Sequence, residues 1–304
     1  MIQDAVRLRI NGVEQFISIR SEKHQAPLLL YLHGGPGASA LPLVRKYNRE
    51  LEKHFIVVVW EQRGAGKSYY SFAKDESVTI DTFLEDMRYI IRYLLERFGQ
   101  SSVYLVGHSW GSVLGLRFVQ EHPEYVHTYV GCGQVVNMKK SCRIAYEYAW
   151  EHANRKERSR LETVDCTYTG EDWFEQLLYV SGLVVKYKGS LYGQSSYAKL
   201  AIPFLFGGGC NILDLVRHRK GRVQSVKRLW QELMKVDFEG VTVYDVPLIF
   251  VEGRHDYLAS SDLLRDYYRR ICSSKQLVWF ERSCHFPQWS ESAKFHQVMF
   301  DALT

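Results

Sequence analysis

Residues 103–116 read VYLVGHSWGSVLGL, and the fold turns on how that passage is parsed. Positions 103–106 form an apolar run of strand length, and positions 110–121 follow with helical character until Pro123 ends the pattern. Between them stands G-x-S-x-G, with Ser109 at its centre. A strand that turns this sharply into a helix leaves no room for Cβ atoms beside the turn, which accounts for Gly107 and Gly111. The turn lifts the Ser109 hydroxyl above the sheet at the N-terminus of the next helix, whose dipole favours developing negative charge. Ser109 is therefore the expected nucleophile, against the plainer reading of a structural turn.

A serine nucleophile needs a base, and the base needs a carboxylate to orient it. The order expected along such a chain is serine, acid, histidine. The apolar run PLIFV at 247–251 is followed by EGRHD, which puts Asp256 in the loop beyond a strand's C-terminal end. The run QLVWF at 276–280 is followed by ERSCH, which puts His285 in an equivalent loop. Both loops belong to the sheet edge that carries Ser109. His285 is preferred over His255, which sits beside the acid, and Asp256 over Glu252 or Asp262.

Acyl transfer also needs N–H donors aimed at a tetrahedral oxyanion. The backbone of Trp110, directly after the nucleophile, is one candidate. The second follows another strand-like run, LLLYLHGGPGA at 28–38, where the glycines let main-chain N–H groups approach a carbonyl unobstructed. Gly35 is the expected donor, with Gly34 next.

The remainder of the chain alternates in the same way. RLRI and VEQFISIR flank Asn11-Gly12, a hairpin signal, and 55–60 is a further buried strand. Residues 82–98 have helical periodicity, with Asp81 as N-cap and Gly99 as C-cap; 125–130 reads as a strand and about 290–303 as a closing helix. Continuous apolar strands alternating with helices imply an α/β fold with a mostly parallel sheet covered on both faces. From about Gln134 to Val241 the pattern changes to helices and loops rich in Tyr, Trp, Lys and Arg, including a GGGC loop at 207–210 and the helix-like VKRLWQELMKV at 226–236. The expected organisation is a core of residues 1–133 and 242–304 with an inserted helical cap at 134–241.

Composition narrows the function classes. The chain has 304 residues, is 46% hydrophobic and carries a formal charge of +5, too mild for a nucleic-acid binder. The basic runs NRKERSR (154–160) and RHRKGR (217–222) read as solvated helix faces or loops rather than anion sites. Six cysteines (132, 142, 166, 210, 272 and 284) show neither CxxC nor metal-like spacing and read as free thiols in a reducing compartment. The N-terminal residues contain no long apolar run, so a cytoplasmic protein with no membrane partner is expected. No cofactor or metal motif is present, and RGAGKS lacks the Walker spacing.

HGGPG at 33–37, EQRGAGKS at 61–68, GHSWGS at 107–112, GRHD at 253–256 and SCHFPQWSE at 283–291 together resemble the proline iminopeptidase branch of the α/β-hydrolase superfamily. The resemblance spans about 10–133 and 245–304. It implies an α/β-hydrolase fold, removal of an N-terminal residue, often proline, from a small or short-peptide substrate, and a helical cap whose carboxylates hold the free amino terminus. Glu232 is the best candidate for that contact. Glu61 stands where the family usually has Asp, and His108 where proline-specific members often have Gly. The alternatives are a carboxylesterase or lactonase on the same fold and a non-catalytic small-ligand receptor. An epoxide hydrolase or haloalkane dehalogenase would need Asp at position 109.

Overall fold

The computed structural model of the chain describes residues 1–206 and 212–303. The GGGC loop and its Cys210 lie outside the described residues. In chain order the elements begin with β1 (Ile2–Ile10), β2 (Val13–Ser21), β3 (Leu28–Leu32), α1 (Leu41–Tyr47), β4 (Ile56–Glu61) and α2 (Ile80–Phe98). Next come β5 (Val103–His108), α3 (Trp110–Glu121) and β6 (Val126–Cys132). Then α4 (Met138–His152), α5 (Arg155–Leu161), α6 (Trp173–Lys186), α7 (Ala198–Phe206) and α8 (Ile212–Leu233) intervene before β7 (Leu248–Gly253). The chain closes with α9 (Ser261–Arg270), β8 (Lys275–Phe280), α10 (Pro287–Ser290) and α11 (Ser292–Asp301).

The strands form one sheet in the order β1-β2-β4-β3-β5-β6-β7-β8. The β1–β2 and β2–β4 pairs are antiparallel and every later pair is parallel. Asn11 and Gly12 both have positive φ, as a two-residue hairpin turn requires. Alternate strand residues bury on opposite faces. Leu28, Leu30, Leu32, Val58 and Leu105 join a cluster with α2 and α3, whereas Leu29, Tyr31, Val57, Val59 and Val106 join one with α1 and α11. That two-sided burial explains why these strands read as unbroken apolar runs.

Parallel register sets the position of the site. Leu32 pairs with Gly107, Gly107 with Gly131, and Gly131 with Phe250, so β3, β5, β6 and β7 end nearly level. The loops beyond them share one edge, where open α/β sheets place their ligands.

Several boundaries differ from expectation. Thr79, not Asp81, caps α2: its hydroxyl accepts from the Thr82 N–H while the Thr82 hydroxyl accepts from the Thr79 N–H, so the helix starts two residues early. The closing helix breaks at Glu291, whose backbone leaves the helical region while its carboxylate accepts from the Arg282 N–H and the Ser283 hydroxyl. Residues 226–233 are the end of a 22-residue helix, α8, that contains the basic run 217–222, and the expected helix at 226–236 overruns its end at Leu233. Between β6 and β7 the described residues contain no strand, only an isolated bridge from Asn137 to Asp237. No described helix is long and apolar enough to cross a membrane.

Candidate active site

The strand-to-helix turn after β5 holds Ser109 at φ 54° and ψ −118°, a region that non-glycine residues avoid. A Cβ on Gly107 would lie 2.5 Å from the Gly111 carbonyl oxygen, and one on Gly111 would run into the Leu32 carbonyl. Both glycines of the motif are therefore set by backbone crossing backbone. Ser109 is the residue before α3, its N–H donates to the Cys132 carbonyl at 3.1 Å, and its side chain stands partly open to the cavity above.

His285 Nε2 lies 2.9 Å from Ser109 Oγ, and its Nδ1 lies 2.7 Å from Asp256 Oδ2. Both partners of Ser109 are buried. Burial alone would raise the Asp256 pKa, but the neighbouring His285 and the N–H groups of Leu258 and Ala259 hold it below its ordinary value. Asp256 Oδ1 accepts from those two N–H groups at 2.7 and 3.1 Å. Glu252, the rival acid, is also fully buried. Burial, and then the nearby Asp256, push its carboxyl well above the usual range. Asp262 is on the first turn of α9 and pairs with Arg265, and His255 packs on Tyr192; neither joins this group.

The loop after β3 lies against the serine. A Cβ on Gly34 would stand 3.1 Å from Ser109 Cβ and 2.9 Å from His108 Nδ1. Gly35 adopts φ +121°, which excludes other L-residues, and lines the cavity beside Ser109. Trp110 is the first residue of α3, so its N–H has no acceptor within the helix.

Three further residues brace this arrangement, and sequence reasoning assigned none of them a role. Gln62 donates its backbone N–H to His33 Nε2 at 3.1 Å and its side-chain N–H to the His33 carbonyl at 3.0 Å, while its Oε1 accepts from Trp110 Nε1 at 2.8 Å. It thereby ties the glycine loop to the start of α3. His33 must then carry its proton on Nδ1, which donates to the Gly34 carbonyl at 2.9 Å; burial drops its pKa to about 4 and keeps it neutral. His108 Nε2 donates to the His285 carbonyl at 2.9 Å, and burial, with His285 beside it, drops its pKa to about 3. Their signal was available: Gln62 and His33 lie inside the HGGPG and EQRG motifs, and His108 inside GHSWG.

Ser109 sits where two cavity lobes of about 430 and 400 Å³ meet. Gly35, His218, Arg222, Leu258 and His285 line both. Trp110, Phe174, Val226 and Trp230 give the first lobe its apolar walls, and Leu200, Phe204 and Trp289 the second. Glu232 is in neither. It faces the opposite side of α8, where its Oε2 accepts from the Ile80 N–H at 2.6 Å at the start of α2, and it borders a groove with Lys235 and Arg117. The expected amine contact by Glu232 is corrected accordingly: its position on the helix turns it toward α2. The reading of 217–222 as a solvated face holds for Arg219, Lys220 and Arg222, which are exposed, while His218, Arg219 and Arg222 also border the cavity. The run 154–160 is exposed as expected. Among the described residues no group of His, Cys, Asp and Glu could hold a metal ion.

Residues 27–165 match the family model for the alpha/beta hydrolase fold. A probable aminopeptidase of Bacillus subtilis (strain 168) is 32% identical over 297 residues, which is 96% of this chain and 93% of the relative. The proline iminopeptidase of Neisseria gonorrhoeae is 32% identical over 120 residues, covering 39% of this chain and 36% of that one. The crystal structure of a proline iminopeptidase-related protein from Thermus thermophilus covers 100% of this chain and 98% of its own at a TM-score of 0.70, with 18% identity, a likeness of fold alone. Sheet order, helical layers and full-length similarity agree: the chain is a hydrolase of the α/β-hydrolase family, resembling the proline iminopeptidases.

Proposed function

We propose that the chain hydrolyses acyl compounds through a Ser109–His285–Asp256 triad and an acyl-enzyme. The observation that carries the reading is the unbroken hydrogen-bonded chain from Asp256 through His285 to a serine held at positive φ. In this reading Ser109 Oγ attacks the carbonyl carbon as His285 Nε2 takes the hydroxyl proton. The N–H groups of Gly35 and Trp110 hold the oxyanion, with Gly34 beside them. Collapse expels the leaving group, which takes the proton from His285. Water, deprotonated by the same nitrogen, then attacks the acyl-enzyme, and His285 returns that proton to Ser109 Oγ as the acid leaves. Asp256 holds the imidazole tautomer and stabilises the imidazolium.

The aminopeptidase and proline iminopeptidase names of the Bacillus and Neisseria relatives support release of an amino-terminal residue as the substrate class. A second reading, hydrolysis of carboxylic esters or lactones, is favoured by a specific feature: no Asp or Glu among the described residues lines either lobe. The division into a core of 1–133 and 242–304 and a substrate-selecting cap of 134–241 belongs to the same proposal. Fluorophosphonate labelling with peptide mapping, followed by aminoacyl-naphthylamides and acyl esters assayed side by side, tests it. An adduct on any residue other than Ser109 overturns the triad reading, and the faster substrate series decides the class.

A further inference from the structure

Helix α8 crosses the cavity with a single face. Leu215, His218, Arg222, Val226 and Trp230 recur at three- and four-residue intervals, and each lines at least one lobe. The stripe is apolar at both ends and cationic in the middle, where the lobes meet over Ser109. Close packing fixes that placement: a Cβ on Gly37 would stand 2.6 Å from the Gly221 carbonyl oxygen, and one on Gly221 would run into the Gly64 carbonyl. The helix therefore rests directly on the HGGPG and QRG loops, and the register of residues 218 and 222 cannot slide.

The charge in that middle segment is unmatched. Arg217 pairs with Asp214 at 3.6 Å, as does Lys67 at 3.0 Å, so Asp214 is engaged away from the cavity. Among the described residues, Arg219 and Arg222 make no ion pair with a carboxylate, and both are partly open to solvent at the cavity's edge. Residues 207–211, which lie outside the described part, read GGGCN and contain no acid. His218 Nδ1 is buried without a hydrogen-bond partner among the described residues, and burial drops its pKa to about 4, leaving a neutral imidazole beside the guanidinium. The charge of Arg222 also reaches the Tyr197 hydroxyl in the second lobe.

We propose that the substrate carries a carboxylate, which Arg222, supported by Arg219 and His218, holds at the junction of the two lobes next to the scissile carbonyl. This deepens the hydrolase reading and rests on it. A guanidinium binds a carboxylate through paired, charge-assisted hydrogen bonds, whereas it repels a free ammonium placed at the same point. The plain alternative is an arginine whose head group lies in solvent and takes no part in binding.

The test compares kcat/KM for matched substrates: mono-p-nitrophenyl adipate against p-nitrophenyl hexanoate, and 4-hexanoyloxybenzoate against 4-hexanoyloxybenzamide. The first pair places the charge on the acyl side and the second on the leaving-group side. In one pair the anionic member should be favoured by about 10- to 100-fold, the range of a charge-assisted hydrogen bond. Arg222→Gln with Arg219→Gln should bring that ratio close to one, and Arg222→Lys should keep part of it. Both variants should melt at the wild-type temperature. An anionic-to-neutral ratio of one or less in both pairs, with the neutral esters turning over, overturns the carboxylate inference and leaves the hydrolase standing. If wild-type protein hydrolyses none of the four and fluorophosphonate leaves Ser109 unlabelled, the hydrolase reading fails instead. Calorimetry with adipate on Ser109→Ala then decides the inference: binding that needs Arg222 supports it, and no binding overturns it.

Discussion

The floor and the roof of the cavity are built by different physics. The floor consists of the loops after β3, β4, β5, β7 and β8, held by hydrogen bonds of 2.7–3.1 Å among His33, Gln62, Trp110, Asp256, His285 and Ser109. The roof, α4 to α8, meets the cavity mainly with apolar and aromatic side chains such as Phe174, Val226 and Trp230. Polar contacts join the two around the cavity rim: the Ser190 carbonyl accepts from the His285 N–H at 3.1 Å, the Gly189 carbonyl accepts from the Tyr257 N–H at 3.0 Å, and the Gln224 side-chain amide donates to the Tyr70 carbonyl at 2.8 Å. A hydrogen-bonded floor tolerates little displacement, because each buried polar group left unpaired costs roughly 1–3 kcal/mol. An apolar roof can change shape with smaller losses, since volume-conserving swaps usually cost less than about 1.5 kcal/mol. In the proposed reading, chemistry falls to the floor and selectivity to the roof of one cavity.

That assignment makes a graded set of expectations. The largest effect belongs to the floor: Ser109→Ala should lower turnover by about 10⁶-fold without unfolding the chain. Residual activity of several per cent in clean protein would remove Ser109 from the role of nucleophile.

Gln62→Ala should follow. It strands the His33 carbonyl and Trp110 Nε1, both buried, and should destabilise the chain by about 2–4 kcal/mol. Activity should fall with it, because the glycine loop loses its tie to α3. A urea titration that matched wild type would mean that the tie contributes nothing to stability.

The floor should also be acid-labile in a defined window. His33 and His108 are buried neutral, with pKa values of about 4 and about 3 against an ordinary value near 6.5. The unfolded chain therefore binds protons that the folded chain refuses. This stabilisation is complete above about pH 6.5 and is lost as pH falls toward 4, by up to about 1.4 kcal/mol per pH unit for each histidine. Urea unfolding at pH 7, 6 and 5 should show that slope, and His108→Gln should reduce it by about one proton. Stability that stayed flat across the window would contradict the burial of both rings in neutral form.

The smallest effect belongs to the outer side of the roof. Glu232→Gln weakens the acceptor for the Ile80 N–H at the start of α2 and should cost about 1 kcal/mol. The rate ratio between free and N-acetylated aminoacyl-naphthylamides should stay at the wild-type value. A change of tenfold or more would restore Glu232 to the substrate site and weaken the division between the halves.

How much was legible follows the same division. Ser109, Asp256 and His285 could be placed because each follows an apolar run in a fixed order, and parallel strands deliver their following loops to one edge. Period and capping likewise located α2 and α3 within a few residues. Thr79 was missed because two plausible caps stand two residues apart, and only the Thr82 hydroxyl decides between them. In the roof, the helix at 226–236 was seen only in part. The apolar stripe does continue through Leu215, but His218 and Arg222 interrupt it, and a cationic break in an amphipathic pattern looks like the end of a buried face.

The sequence by itself determined the α/β core, the order of its strands and helices, and the identity of a serine, an acid and a histidine at one sheet edge. These are consequences of local periodicity and of chain direction, which the sequence spells out directly. Only the tertiary structure decided that Glu232 turns toward α2 while Arg222 borders the cavity that holds Ser109. Both residues ride on the same helix, and which face meets the cavity depends on how Gly221 seats that helix against Gly37 and Gly64, distant from it in the chain.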